Sequence, residues 1–315
     1  MSLKELHDAL VQNIGRVIFG QEEAIELALS AFFSSGHALL EGMPGTAKTL
    51  LVRVLAASLR MSYRRVQMTP DLLPNDITGS SIYREDTNSF EFKEGPVFSN
   101  FLLADEINRA SAKTQSALLE AMQELTVTRD GVTRPLPQPF IVFATQNPVE
   151  QEGTYPLPLA QLDRFMFKIL IEYPPPEVER RIFQLHHATA SCTDLAAMGV
   201  EAVLEPAQVL TTRELIRKTF IRDEVIDYVR RLVQATRVDE ALAVGASPRA
   251  GLMLLMGAKS LARFAGREFV TPDDIKAVFR PVMRHRVILS PSAELEGSSA
   301  DEILLNILDT TEVPR

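Results

Sequence analysis

Short apolar runs alternate with helical stretches between residues 37 and 172. This alternation predicts a parallel sheet whose strands are joined by crossover helices. The runs at 101–104 and 141–144 are continuously apolar, as expected for strands that are covered on both faces. We therefore expect five parallel strands, at residues 37–41, 63–68, 101–105, 140–145 and 165–171.

Helical patterns flank this region on both sides. Residues 3–35 have the pattern of one or two helices, and Ser2 with Glu5 forms a capping-box pattern at their start. The run Tyr-Pro-Pro-Pro at 173–176 can continue neither a strand nor a helix, so it predicts a domain boundary. The predicted helices beyond it are residues 177–189, 212–220, 223–236, 248–264 and 272–279.

The predicted fold is an α/β core over residues 1–173, followed by a smaller all-α domain over 177–315. Two insertions interrupt the core. The first, near 68–100, is rich in proline and glycine and contains short β-like pieces. The second, near 126–136, has alternating β-branched residues around Asp130-Gly131, which is a strong hairpin signal.

Composition places the chain among ordinary globular proteins. Of its 315 residues, 46% are hydrophobic and 23% are charged, and no apolar run is long enough to span a bilayer. The first twenty residues lack a signal-peptide core, and the single cysteine, Cys192, excludes an internal disulfide. We therefore expect a cytoplasmic protein without membrane insertion. The adjacent His186 and His187 lack partner ligands and are expected to be surface or packing residues.

A phosphate-binding loop is predicted at residues 42–49, between an apolar strand and a helix. Lys48 can reach the β- and γ-phosphates of a nucleoside triphosphate, and the hydroxyl of Thr49 can bind Mg²⁺. The residue before the lysine is Ala47, where glycine is usual. We expect alanine to be tolerated if that position already has helical torsion angles, which leaves Gly45 as the strained position. The expected nucleotide-binding residues are Gly42, Met43, Pro44, Gly45, Thr46, Ala47, Lys48, Thr49 and Leu50.

Polar side chains end two of the predicted strands. Asp105 and Glu106 follow the apolar run at 101–104, and Gln146 and Asn147 follow the run at 141–144. The carboxyl ends of parallel strands meet the ligand at one edge of the sheet. We expect Asp105 to hold Mg²⁺ and Glu106 to activate the attacking water. Either Gln146 or Asn147 can contact the γ-phosphate or that water.

The ordered set of motifs resembles the MoxR family of AAA+ ATPases over residues 17–285. The motifs are the phosphate loop, Asp-Glu-Ile-Asn-Arg-Ala at 105–110, Ala-Thr-Gln-Asn-Pro at 144–148, Glu-Gly-Thr-Tyr-Pro-Leu-Pro at 152–158, Gln-Leu-Asp-Arg-Phe at 161–165 and Ser-Pro-Arg-Ala at 247–250. The resemblance implies a P-loop AAA+ core with a helical lid domain, and ATP as the nucleotide.

The resemblance also implies roles for individual residues. Asn147 would be sensor 1, and Arg164 would be an arginine finger that reaches the γ-phosphate held by a neighbouring subunit. Arg249, in the first turn of a lid helix, would be sensor 2 and contact the nucleotide. The alternative for Arg164 is a structural ion pair, for example with Asp163. The adenine site would be formed by residues 17–21, including Val17, Ile18, Gly20 and Gln21.

Two positions are open questions within this resemblance. Leu159 stands where the family pattern has glutamate, which puts in doubt a polar contact across a subunit interface. Arg109 is a candidate for a second interface arginine.

The function expected from this resemblance is Mg²⁺-dependent ATP hydrolysis by a ring, usually a hexamer. Hydrolysis would tilt the lid and move the two insertions, and so remodel a protein client. MoxR proteins are linked to chaperone-like maturation, to partners with von Willebrand factor A domains and to metal cofactor insertion.

Three other functions are compatible with the motifs. One is a nucleic-acid motor such as a helicase-like ring, although the net charge of −8 and the lack of an aromatic residue in the 126–136 hairpin disfavour it. Another is the motor subunit of a metal chelatase, which shares both insertions. The last is a nucleotide-gated scaffold with weak turnover.

Overall fold

The computed structural model describes residues 2–148, 153–188 and 194–314, apart from the side chains of His186 and Ala188. Glu152, Cys192 and the end of the helix predicted at 177–189 lie outside them. The helices are α1 Leu3–Ile14, α2 Glu22–Phe33, α3 Lys48–Ser58, α4 Pro74–Thr78, α5 Ala112–Glu124, α6 Leu159–Leu162, α7 Pro176–Ala188, α8 Pro206–Arg217, α9 Asp223–Val238, α10 Pro248–Phe264, α11 Pro272–Met283, α12 Pro291–Leu295 and α13 Ala300–Thr310. The strands are β1 Ala38–Gly42, β2 Tyr63–Gln67, β3 Gly79–Arg84, β4 Ser89–Glu94, β5 Phe101–Asp105, β6 Thr126–Arg129, β7 Val132–Pro135, β8 Ile141–Gln146, β9 Phe167–Ile171, β10 Leu242–Val244 and β11 Ile288–Leu289.

The main sheet has five parallel strands in the order β2-β5-β8-β1-β9, as the apolar runs predicted. Every residue of β5 is buried, and so are the first five residues of β8. Because the strands are parallel, their carboxyl ends share one edge of the sheet and their amino ends share the opposite edge. The predicted phosphate loop follows β1 and therefore lies at the carboxyl edge of the sheet.

The sheet is covered by a separate hydrophobic cluster on each face. Leu39 belongs to the cluster that contains α5, and the next residue, Leu40, belongs to the cluster that contains α1, α2 and α3. This second cluster also includes the apolar residues of α8 to α11 and α13. The packing therefore runs across the boundary predicted at 173–176, so the C-terminal helices rest directly on the core.

The C-terminal helices match the predicted ones, with differences at the ends of α8 and α11. Helix α8 begins at Pro206, six residues before the predicted start, because Pro206 follows the cap residue Glu205, and it ends at Arg217, three residues before the predicted end. Helix α11 continues to Met283. Helices α12 and α13 were not predicted, although Ser299 and Glu302 form a capping box at the start of α13. The short antiparallel pair of β10 and β11 departs from the expected all-α composition.

Both insertions contain antiparallel hairpins, β3–β4 and β6–β7. The turn between β6 and β7 has positive φ at Asp130 and Gly131, which confirms the hairpin predicted from this pair. The two insertions also contact each other. Arg134 lies 4.0 Å over the ring of Phe92, and Arg129 donates to the Thr78 hydroxyl at 2.9 Å.

Candidate active site

The predicted phosphate loop lies at the carboxyl end of β1 and leads into α3. The Lys48 Nζ donates to the carbonyls of Gly42 and Met43 at 2.6 and 2.8 Å, and the Thr46 hydroxyl donates to the Met43 carbonyl at 2.8 Å. Burial lowers the pKa of Lys48, while Asp105 and Glu106 oppose this effect. The loop borders a cavity of about 390 Å³ that is lined by Pro44, Gly45, Thr46, Ala47, Lys48, Thr49, Leu50, Asp105, Glu106, Thr145, Gln146 and Asn147.

Ala47 has left-handed torsion angles, with φ 64° and ψ 20°, and it caps α3. The condition under which we expected alanine to be tolerated here, right-handed helical torsion angles, is therefore not met. Gly45 also has positive φ, at 81°, so the loop has left-handed backbone at two positions and only one of them is glycine. The left-handed region disfavours residues with a Cβ, so Ala47 stores backbone strain.

Replacing Ala47 with glycine is expected to stabilise the protein by about 0.5–1 kcal/mol. Relief of left-handed strain is worth ~1–2 kcal/mol, and the greater freedom of glycine in the unfolded chain offsets ~0.4–1 kcal/mol of it. Urea unfolding of the two proteins measures the difference. In the same helix, Ala57→Gly is the matched control and is expected to lower stability by about 0.5–1 kcal/mol, since its position is helical. If Ala47→Gly lowered the free energy of unfolding, the proposed backbone strain at Ala47 would be contradicted.

Asp105 is held from both of its carboxylate oxygens at the carboxyl end of β5. Its Oδ1 accepts a hydrogen bond from the Thr145 hydroxyl at 2.6 Å. Its Oδ2 accepts from Nε and Nη2 of Arg65 at 2.9 and 2.6 Å. Asp105 is buried, with 8% of the residue exposed. These partners fix its orientation toward the loop.

Glu106 also has left-handed torsion angles, with φ 57° and ψ 55°. Its backbone N–H donates to the Thr145 hydroxyl at 2.8 Å. Its Oε2 accepts from Gln67 Nε2 at 2.8 Å and from Arg109 Nη1 at 3.1 Å. A residue with a Cβ is rarely found in this conformation, and such strain is concentrated at functional sites.

Three residues that support these acids were missed by the sequence analysis. Arg65 and Gln67 are two residues apart in β2, so their side chains share one face of the sheet and both can reach the end of β5. Gln67 pairs directly with Asp105 in the strand register. Thr145 precedes the polar pair at the end of β8 and links Asp105 to Glu106. The motif at 144–148 contained a signal for Thr145. Nothing local indicated Arg65 or Gln67, because their partners lie on another strand.

Both polar residues at the end of β8 line the cavity. Asn147 is buried, at 8% exposure, whereas Gln146 is half-buried. Both are therefore placed to contact a bound phosphate.

The segment predicted to bind adenine lies between α1 and α2, beside the start of α7. Val17 and Ile18 are buried in the hydrophobic cluster. A Cβ on Gly20 would lie 3.2 Å from Val178 of α7, and Gln21 donates to the Glu172 carbonyl at 2.9 Å. Gly20 and Gln21 line a neighbouring cavity of about 480 Å³ and do not line the phosphate cavity.

The oxygen groups predicted to bind Mg²⁺ are both present in the phosphate cavity. Thr49 supplies a hydroxyl and Asp105 a carboxylate. Within the described ranges there is no cluster of three or more His, Cys, Asp or Glu that would bind a metal ion by itself. This fits Mg²⁺, which commonly uses one or two carboxylates together with water and substrate phosphates.

Arg164 lies at the opposite edge of the sheet from the phosphate loop. It precedes β9, and β9 pairs with β1 so that Phe167 lies opposite Ala38, at the amino end of both strands. The length of β1 separates this edge from Gly42, about 15 Å. Arg164 borders a different cavity, of about 270 Å³, with Glu120 and Glu124 of α5.

Arg249 lies near the same amino edge. Burial lowers the pKa of His37, which immediately precedes β1, to about 4, and the charge of Arg249 contributes to this lowering. Arg249 does not line the phosphate cavity. The fold therefore brings neither Arg164 nor Arg249 to the loop of its own chain.

Comparisons with known proteins agree with this geometry. A model of the ATPase family associated with various cellular activities (AAA) matches residues 37–167, and an AAA lid domain model matches residues 234–307. Chaperone MoxR1 of Mycobacterium tuberculosis is 44% identical over 99% of this chain and 84% of its own length. Protein MoxR of Methylorubrum extorquens is 32% identical over 96% of this chain and 94% of its own.

This chain belongs to the MoxR family of AAA+ ATPases.

A solved structure extends the match to three dimensions. The crystal structure of a Cytophaga hutchinsonii protein assigned as a candidate ATPase superimposes with a TM-score of 0.91 at 42% identity, covering 99% of this chain and 96% of that one. The MoxR fold predicted from the motifs, an AAA+ core followed by a helical lid, is thus confirmed. Across the described residues, no helix combines the length and the apolar character that crossing a membrane requires.

The motifs of this MoxR chain left the roles of two residues open, Arg109 and Leu159. Arg109 contacts Glu106 of its own chain, and its side chain is 45% exposed. Leu159 begins α6 and is half-buried.

Proposed function

We propose that this chain forms a hexameric ring and hydrolyses ATP at sites shared between neighbouring subunits. The observation that supports this proposal is the division of the charged residues between the two edges of the sheet. One edge carries the loop with Lys48 and the acids Asp105 and Glu106, and the opposite edge carries Arg164 and Arg249. Head-to-tail association of such subunits joins unlike edges, and it closes into a ring when the rotation permits.

Each residue then has a distinct task. The loop N–H groups and Lys48 bind the phosphates. Thr49 and Asp105 would hold Mg²⁺, which would supply positive charge to the phosphates when bound. Glu106 accepts a proton from the attacking water, and Asn147 orients that water or the γ-phosphate. Arg164 and Arg249 of the neighbouring subunit stabilise the charge that develops on the transferred group.

Mixing two inactive variants tests the shared site. Glu106→Gln removes the base but keeps Arg164, whereas Arg164→Ala keeps the base. A 1:1 mixture places an intact base beside an intact arginine at about a quarter of random head-to-tail interfaces, and it should recover a comparable share of activity. The matched control mixes Glu106→Gln with Lys48→Ala. Both substitutions lie in the phosphate cavity, so every subunit in this mixture has a defective cavity and no complete site can form. A mixture of the first pair that stays inactive would contradict the shared site.

The work driven by hydrolysis is proposed to be chaperone-like remodelling of protein clients, with a von Willebrand factor A domain protein as a candidate partner. Two relatives are MoxR proteins, and one of them is named a chaperone. The arginines of the β6–β7 hairpin favour this function over a nucleic-acid motor, because both are engaged with the first insertion. Arg129 donates to Thr78, and Arg134 lies over Phe92.

A direct comparison separates these functions. The ATPase rate is measured with and without single-stranded DNA, and Glu106→Gln protein with ATP is used to capture clients. No stimulation by DNA and capture of a folded protein are expected. Capture of nucleic acid alone would favour the motor, and capture of a tetrapyrrole enzyme would favour the chelatase subunit.

A further inference from the structure

Asp163, the residue before Arg164, is bound by two residues of the C-terminal region, Ser247 just before α10 and Arg286 just after α11. Its Oδ1 accepts from Arg286 Nε at 2.7 Å, and its Oδ2 accepts from the Ser247 hydroxyl at 3.1 Å. Its carbonyl oxygen accepts from Arg286 Nη2 at 3.1 Å. Asp163 is thus engaged by Arg286 and Ser247, and among the described residues it forms no ion pair with Arg164.

Arg286 anchors the whole segment around Arg164. Only 2% of it is exposed, and it also donates to the carbonyls of Phe165 and Met166, at 2.5 and 3.2 Å. His285 adds a hydrogen bond to the Phe165 carbonyl at 2.9 Å. A buried guanidinium requires a paired charge, and Asp163 supplies it. The backbone is therefore held on both sides of Arg164, whereas the Arg164 side chain itself is half-buried at a cavity.

Ser247 links this segment to Arg249. It is the N-cap residue of α10, and Arg249 lies in the first turn of that helix. A serine at this position usually accepts a hydrogen bond from its own helix, but here it makes no such bond and its hydroxyl is directed to Asp163. The start of α10 and the segment around Arg164 are therefore joined through one carboxylate.

We propose that Asp163, held by Arg286 and Ser247, is a positioning residue that presents Arg164 and Arg249 as one unit to the nucleotide of the neighbouring subunit. This inference rests on the shared site proposed above. A displacement of about 1 Å in a catalytic group can cost about 100-fold in rate, so a fixed tether between the two arginines has a direct effect on turnover.

The test uses Asp163→Asn, which keeps the size of the side chain and removes its charge. We expect ATP turnover to fall about 10- to 100-fold, with unchanged affinity for ATP, because the phosphate loop of the same chain lies at the other edge. A 1:1 mixture with Glu106→Gln should recover activity, since the Glu106→Gln subunits supply well-positioned arginines. Normal turnover by Asp163→Asn would overturn the proposal.

Two controls separate positioning from folding. Asp274→Asn is the matched variant, because Asp274 is a buried carboxylate of α11 that pairs with Arg267 and does not touch the segment around Arg164. The Asp274→Asn substitution is expected to change the melting temperature. Any loss of its ATP turnover should not be recovered by mixing it with the Glu106→Gln protein. If Asp163→Asn fails to fold, Ser247→Ala is used, with an expected two- to ten-fold loss of turnover and the same rescue.

The mixtures also separate this inference from the shared site. Recovery by Arg164→Ala with Glu106→Gln, but not by Asp163→Asn with Glu106→Gln, would overturn the positioning role and leave the shared site intact. Failure of both mixtures would overturn the shared site itself.

Discussion

The Arg164→Ala protein is expected to turn over ATP about 10³–10⁵ times more slowly than the wild type, because an arginine supplied by a neighbouring subunit contributes that much to phosphoryl transfer. Its affinity for ATP should change little. Arg164 lies at the amino edge of the sheet, whereas the loop that binds the phosphates lies at the carboxyl edge. Steady-state ATPase assays measure the first quantity, and fluorescent nucleotide titration measures the second.

A matched variant controls for the loss of an arginine. Arg222 is the exposed N-cap residue of α9, far along the chain from β9, and Arg222→Ala should retain activity. A fall of less than ten-fold in the turnover of Arg164→Ala would contradict a role as an arginine finger. So would a loss explained entirely by weaker nucleotide binding.

The Glu106→Gln protein is expected to turn over ATP about 10²–10⁴ times more slowly than the wild type while it still binds ATP. Glutamine keeps an oxygen that can accept from Gln67 and Arg109, so the local structure should persist, but it cannot take a proton from water. Single-turnover hydrolysis and nucleotide binding measured on the same preparation separate the chemical step from affinity.

The control for this variant is Glu240→Gln, at an exposed position after α9. Unchanged turnover in Glu106→Gln would indicate a nucleotide-gated scaffold, because its function would not depend on a catalytic base. A raised KM with normal kcat would assign Glu106 to binding instead.

The parts of the site that lie within one loop or at one strand end could be predicted from the sequence. The phosphate loop, Asp105, Glu106 and Asn147 each follow an apolar run, and parallel strands bring their ends to one edge. The torsion angles of Ala47 could not be predicted in this way, because helix propensity does not report how a loop enters its helix.

The supporting residues depend on pairings between distant parts of the chain. Arg65 holds Asp105 because β2 lies beside β5, and Arg286 holds Asp163 because α11 and the residues after it pack beside β9. Neither pairing leaves a periodic signal in the sequence.

By itself the sequence determined the five-stranded sheet, the two hairpins, the helical C-terminal region and the residues of the phosphate loop. These features follow from the local order of apolar, polar and turn residues, which sets secondary structure over short distances. Only the tertiary structure decided that Arg164 and Arg249 lie at the opposite edge from the loop, and that Asp163 joins them through Arg286 and Ser247. The physical reason is that strand order and helix packing bring together distant residues, such as Asp163 and Arg286, which are 123 positions apart. No local pattern encodes that proximity.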